Sequence, residues 1–171
     1  MRCEALGLIC LSATLSIAAG AFAGPPTPYS KPGLWVLQQQ ITKSKSTFET
    51  KLCIDKTTQQ YLLSSGQSME KSMCSRNDTS VSGATVRTDS VCKIGGSTLT
   101  SHSEITYAGD SAFHGVTTGH FSPAFMGTTE TRSTQDGKWS GACPAGMKPG
   151  DMYGPHGMKL HMGPNGPQPL H

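Results

Sequence analysis

The chain has 171 residues, with 14 Lys and Arg against 11 Asp and Glu, for a formal charge of +3. Apolar residues make up 35% and aromatics 6%, which suits one domain with a thin core rather than several domains. The basic residues form no dense face able to hold a phosphate backbone, so nucleic acid is excluded as a partner.

Residues 1–23 read as a cleavable secretory signal. Met1 and Arg2 form the charged start, Leu6 to Ala18 the apolar run, and Ala21-Phe22-Ala23 the small-residue cleavage site. The run is too short to span a bilayer. Cys10 follows Gly7-Leu8-Ile9 rather than a lipobox, so no membrane anchor is expected. Removing this segment takes away Cys3 and Cys10 and leaves Cys53, Cys74, Cys92 and Cys143 for an oxidising compartment. The expected location is the periplasm.

Residues 24–32 form an extended, proline-rich leader, and 33–143 a β domain. Trp35, Leu37 and Ile41 alternate with Val36, Gln38 and Gln40, as in a half-buried strand, and Phe48, Thr50, Leu52 and Ile54 repeat the period. Asp55 then caps a short helix that Gly66 ends. Strand patterns return in pairs: 74–82 with 84–93 about Ser82-Gly83, 97–107 with 112–121 about Gly109-Asp110, and 127–134 with 138–142 about Asp136-Gly137. The fold class is therefore all-β, an antiparallel meander of about eight strands forming a barrel or a strongly curved sheet, with one short helix. Residues 144–171 hold six Pro and six Gly without apolar periodicity and read as a disordered tail.

Lys31-Pro32-Gly33-Leu34-Trp35 resembles the opening of a family of small exported proteobacterial proteins of unknown function. Lys51-Leu52-Cys53-Ile54, Cys74 and Cys92 about a Ser-Gly turn, the segment 104–111 and Gly141-Ala142-Cys143 continue the likeness in order. The resemblance implies an exported β-rich domain of the Gram-negative envelope and carries no catalytic residues. The family often has a Met- and Pro-rich loop after its first strand; this chain has Thr42-Lys43-Ser44-Lys45-Ser46 there.

Cys74 and Cys92 lie nine residues either side of Gly83, so a hairpin turning there sets them opposite each other, and Cys53 is left with Cys143. The loop-entropy account gives roughly 3 kcal/mol for the short loop and about 4–5 for the long one. Gly109-Asp110-Ser111 contains a serine but sits between two strands, where its residues are turn formers, and no base or acid accompanies it. No catalytic constellation assembles, so the chain reads as a binding or structural protein rather than an enzyme.

Two ligand readings follow. A barrel would enclose a small apolar ligand near Trp35. With a turn centred on Gly109-Asp110, His114 and His120 share a face with Leu99, Ile105 and Val116, while His102 points away. The alternative is a copper-binding accessory protein, using the soft and borderline donors Met147, Met152, His156, Met158, His161 and Met162.

Overall fold

A computed structural model describes Tyr29, 31–41 and 46–170. The signal at 1–23, most of the leader and residues 42–45 lie outside the described residues. Among the described residues the fold is one antiparallel sheet of ten strands with one α-helix, and the sheet does not close into a barrel.

The strands are β1 (Gly33–Ile41), β2 (Ser46–Ile54), β3 (Cys74–Ser82), β4 (Thr85–Ile94), β5 (Ser97–Ala108), β6 (Ala112–Phe125), β7 (Thr128–Trp139), β8 (Asp151–Tyr153), β9 (Lys159–Gly163) and β10 (Gly166–Pro169). Their spatial order is β10-β9-β8-β2-β1-β7-β6-β5-β4-β3. The helix α1 (Lys56–Met73) joins β2 to β3.

Helix α1 begins where the sequence places it, with Asp55 Oδ1 accepting from the Thr58 amide at 2.7 Å. It does not stop at Gly66. It continues through that residue to Met73, for 18 residues in all. A glycine inside a helix costs about 1 kcal/mol, which contacts on the sheet and the anchoring of Cys74 to Cys92 offset.

The position of α1 shows that the sheet is curved. The helix touches β3 and β4 near one edge of the sheet, β9 and β10 at the other, and β2. The two edges are nine strand spacings apart, about 43 Å in a flat sheet. An 18-residue helix is only about 27 Å long, so the sheet must curl around it.

The inner face carries the core. Trp35, Leu37, Leu52, Ile54, Tyr107 and Phe113 form one buried cluster, with Leu62 of α1 and Met152 of β8 packed against it. Trp35 is 1% exposed, as the sequence pattern implied. Tyr29, from the leader, stands edge-on to both Trp35 and Phe113. The indole of Trp35 donates to the Lys31 carbonyl, and that of Trp139 to the Pro32 carbonyl. The end of the leader is thus fastened to the core. Burial beside Tyr107 pushes the Tyr29 hydroxyl up to about 12. At Gly33, φ is +130°, and any Cβ would collide with the Gly141 carbonyl and the Trp139 indole.

Three expectations about strands need correction. Asp136-Gly137 is not a turn: it lies inside β7, and the chain reverses instead at Met126-Gly127. The Phe113 ring packs across Gly137, where a Cβ has no room, so Gly137 serves strand packing rather than chain reversal. The turn between β5 and β6 contains Gly109, Asp110 and Ser111, with Ala108 facing Ala112. That extra residue reverses the assignment of faces, as developed below.

The third correction concerns residues 144–171. Far from lacking structure, 151–169 hold three strands and a single 3-10 turn at Pro155–Gly157. β8 pairs with β2, so the tail extends the sheet beyond its first strands. Its methionines supply the apolar surface that the Pro and Gly count concealed: Met147 and Met162 are buried, and Met152 joins the core.

Two stability measurements test this packing. Trp35→Ala should cost about 3–5 kcal/mol in urea unfolding, as aromatic truncation in a filled core does. Deleting residues 144–170 should cost about 5 kcal/mol or prevent folding, since burying each methionine contributes roughly 1.5–3 kcal/mol. A truncated protein of unchanged stability would show that β8–β10 do not cover the core.

Candidate functional site

All four cysteines of the domain are bridged as the hairpin geometry indicated. Cys74 and Cys92 face each other across β3 and β4, and Cys53 joins Cys143. The first bridge ties the end of α1 to the sheet. The second ties β2 to the segment leading into β8.

The three-residue turn at Gly109–Ser111 places His102 opposite Thr118, His114 opposite Thr106 and His120 opposite Thr100. All three imidazoles therefore share the outer face, while Leu99 and Ile105 point inward. His114 and His120 do not meet Trp35, so the three residues do not line one site. Each outer imidazole faces a carboxylate on its other neighbouring strand. The distances are 2.9 Å from His102 Nδ1 to Asp89, 2.7 Å from His114 Nδ1 to Asp136, and 2.5 Å from His120 Nδ1 to Glu130. These are directly opposed pairs, the unit of cross-strand stabilisation. Between them lies a depression of about 280 Å³ floored by Val116 and rimmed by His102, Glu104, His114 and Arg132. Most of its polar groups are already paired with residues outside it: Glu104 accepts from Arg87 at 2.7 Å, and His102 and His114 hold Asp89 and Asp136.

The tail donors are dispersed by the fold. Met147 and Met162 are buried, Met152 packs on the core, and His161 is held by Asp151, leaving His156 and Met158 exposed. Among the described residues no three His, Cys, Asp or Glu side chains converge to hold a metal ion.

The inner face offers a different site. A crevice of about 210 Å³ opens between the second half of α1 and strands β4 and β5, lined by Met69, Met73, Cys74, Cys92, Ile94 and Leu99. Its walls are almost wholly apolar, and Glu70 alone brings a charge to them. Gly66 borders the crevice, and a Cβ there would meet nothing within 4 Å. Elsewhere the inner face is paved with hydroxyls that bond across strands, Ser90 to Ser101 at 2.7 Å and Thr117 to Ser103 at 3.1 Å. The crevice escaped sequence reasoning because the helix was expected to end at Gly66. Met69 and Met73, four residues apart on one helical face, were the available signal.

A family model described as a protein of unknown function (DUF3617) matches residues 30–143. The chain belongs to that family. No curated protein and no solved structure matches it. The matched segment contains both bridges, α1 and the crevice, whereas β8–β10 lie beyond it. Among the described residues no helix is long and apolar enough to cross a membrane.

Asp151 pins the added strands. Its carboxylate accepts from the Lys148 amide at 2.7 Å and from His161 Nδ1 at 2.8 Å, while Met162 N–H bonds the Gly150 carbonyl. Burial would raise this carboxyl, but the Lys148 amide, the His161 ring and the charges of both outweigh it, and it titrates below its usual range. A carboxyl lowered on folding stabilises the fold above its unfolded value, about 3.9, and that contribution disappears as pH falls through the folded value. Asp151→Asn should therefore speed exchange of the Met162 amide at neutral pH and flatten its dependence on acid. Hydrogen exchange of β9 reads both effects, and an unchanged acid profile would assign the pinning to other groups.

Proposed function

We propose that the protein is an exported binding protein of the periplasm that holds a small apolar ligand in the crevice beneath α1. The crevice itself carries this reading. It is a concave apolar surface walled by one helix and one sheet, with a disulfide fixing the helix end beside it. The outer depression, although larger, presents a ligand with mostly paired groups. Export is supported by the signal-like residues 1–23, and two disulfides suit an oxidising compartment.

Gly66→Leu separates binding from folding. The new side chain enters open space at the crevice, and leucine favours the helix over glycine by roughly 0.5–1 kcal/mol. The variant should unfold at slightly higher urea while losing the fluorescence response to an uncharged apolar dye such as Nile red. Equal dye binding by both proteins would overturn the assignment of this crevice.

A further inference from the structure

The two edges of the sheet are unlike. β10 reads Gly-Pro-Gln-Pro, and its prolines remove backbone donors from that edge. β3 has nine residues with no proline and no lysine, and Ser75 to Ser82 are exposed throughout. Helix α1 therefore leaves all but the start of this strand uncovered.

The ladder identifies which backbone groups are open. The Tyr107 amide donates to the Ala84 carbonyl, so even-numbered residues of β4 turn their backbone toward β5 and odd-numbered ones toward β3. Ser80 faces Arg87 and Asp78 faces Asp89, so even-numbered residues of β3 are bonded inward. The amides and carbonyls of Asn77, Thr79 and Val81 face outward. Arg76 and Asp78, two apart, pair with each other on the outer face.

We propose that β3 pairs antiparallel with β3 of a second copy of this chain about a two-fold axis at Asn77. The charges select that register. With Asn77 opposite itself, Arg76 of each copy meets Asp78 of the other, forming two equivalent opposite-charge pairs. Moving the axis to Asp78 sets carboxylate against carboxylate, and moving it to Thr79 leaves both charges facing serines. The same register draws Val81, 47% exposed, toward the end of α1 in the other copy. Seven paired residues bury less than the roughly 1,200 Å² of a stable interface, so the dimer is reversible and dependent on concentration.

Sedimentation velocity of the full mature chain over a wide concentration range tests this, with urea unfolding as a check on the fold. The wild type should shift from monomer to dimer. Thr79→Pro removes an outward amide and the exposed hydroxyl contact of Thr79 with Thr88. It should give a monomer with only a small loss of stability, which Thr79→Val, lacking the hydroxyl but keeping the amide, controls for. Arg76→Asp and Asp78→Arg should each weaken association about tenfold, and the double exchange should restore it. Asn77→Cys should form a symmetric disulfide-linked dimer. A wild type that stays monomeric throughout overturns the proposal. So does a dimer that survives Thr79→Pro, or a double exchange no better than the single ones.

Discussion

Phe113 lies across the backbone of Gly137, and the register at the centre of the sheet depends on that contact. The ring reaches Trp35, Tyr107 and Tyr29 from there, so one aromatic cluster joins β1, β5, β6 and the leader. Aromatic pairs add about 0.5–1.5 kcal/mol each beyond their buried area. In a chain with so few aromatics, collecting four of them at one point gives the inner face a firm end. The remainder of that face can then be paved with small hydroxyl residues, and strand parity sends every domain imidazole outward.

The curl of the sheet follows from covering that cluster. A flat ten-stranded sheet would hold β10 nine strand spacings from β3, too far apart for one helix of this length to touch both. Rolling the sheet brings both edges toward one helix, and the helix stands where further strands would otherwise have closed a barrel. The gap narrows under the second half of α1 without being filled, and the crevice is what remains. The family segment contains Trp35, Tyr107, Phe113 and the helix, while Tyr29 precedes it and three short strands follow it.

Much of this was legible in the sequence, for identifiable reasons. The β1 alternation and the Ser82-Gly83 hairpin are local signals with no strong competitor, and the cysteine pairing follows from the hairpin. Asp136-Gly137 carried an equally local turn signal, but the need of Phe113 for a bare backbone overrode it, and that need belongs to a residue 24 positions away. His114 and His120 were misassigned because a single added turn residue inverts the parity of β6 relative to β5, whereas His102 lies on the outer face as expected. The tail misled through its composition. Most of its proline and glycine lies in the loops or in the edge strand β10, whereas its ordering comes from methionines that are buried against the rest of the fold.

Helix α1 has a role unrelated to any ligand. Cys53 and Cys74 are separated by little more than the 18 residues of the helix, about as far apart in sequence as Cys74 and Cys92. Loop closure alone would hardly distinguish the correct pair from the wrong one. Once wound, the helix is a rod of about 27 Å between those two thiols, and they cannot meet. The hairpin instead folds Cys92 back onto Cys74. Cys53 is left to Cys143, 90 residues further along the chain. Secondary structure thus acts as a spacer that holds Cys53 away from Cys74 and leaves it for Cys143.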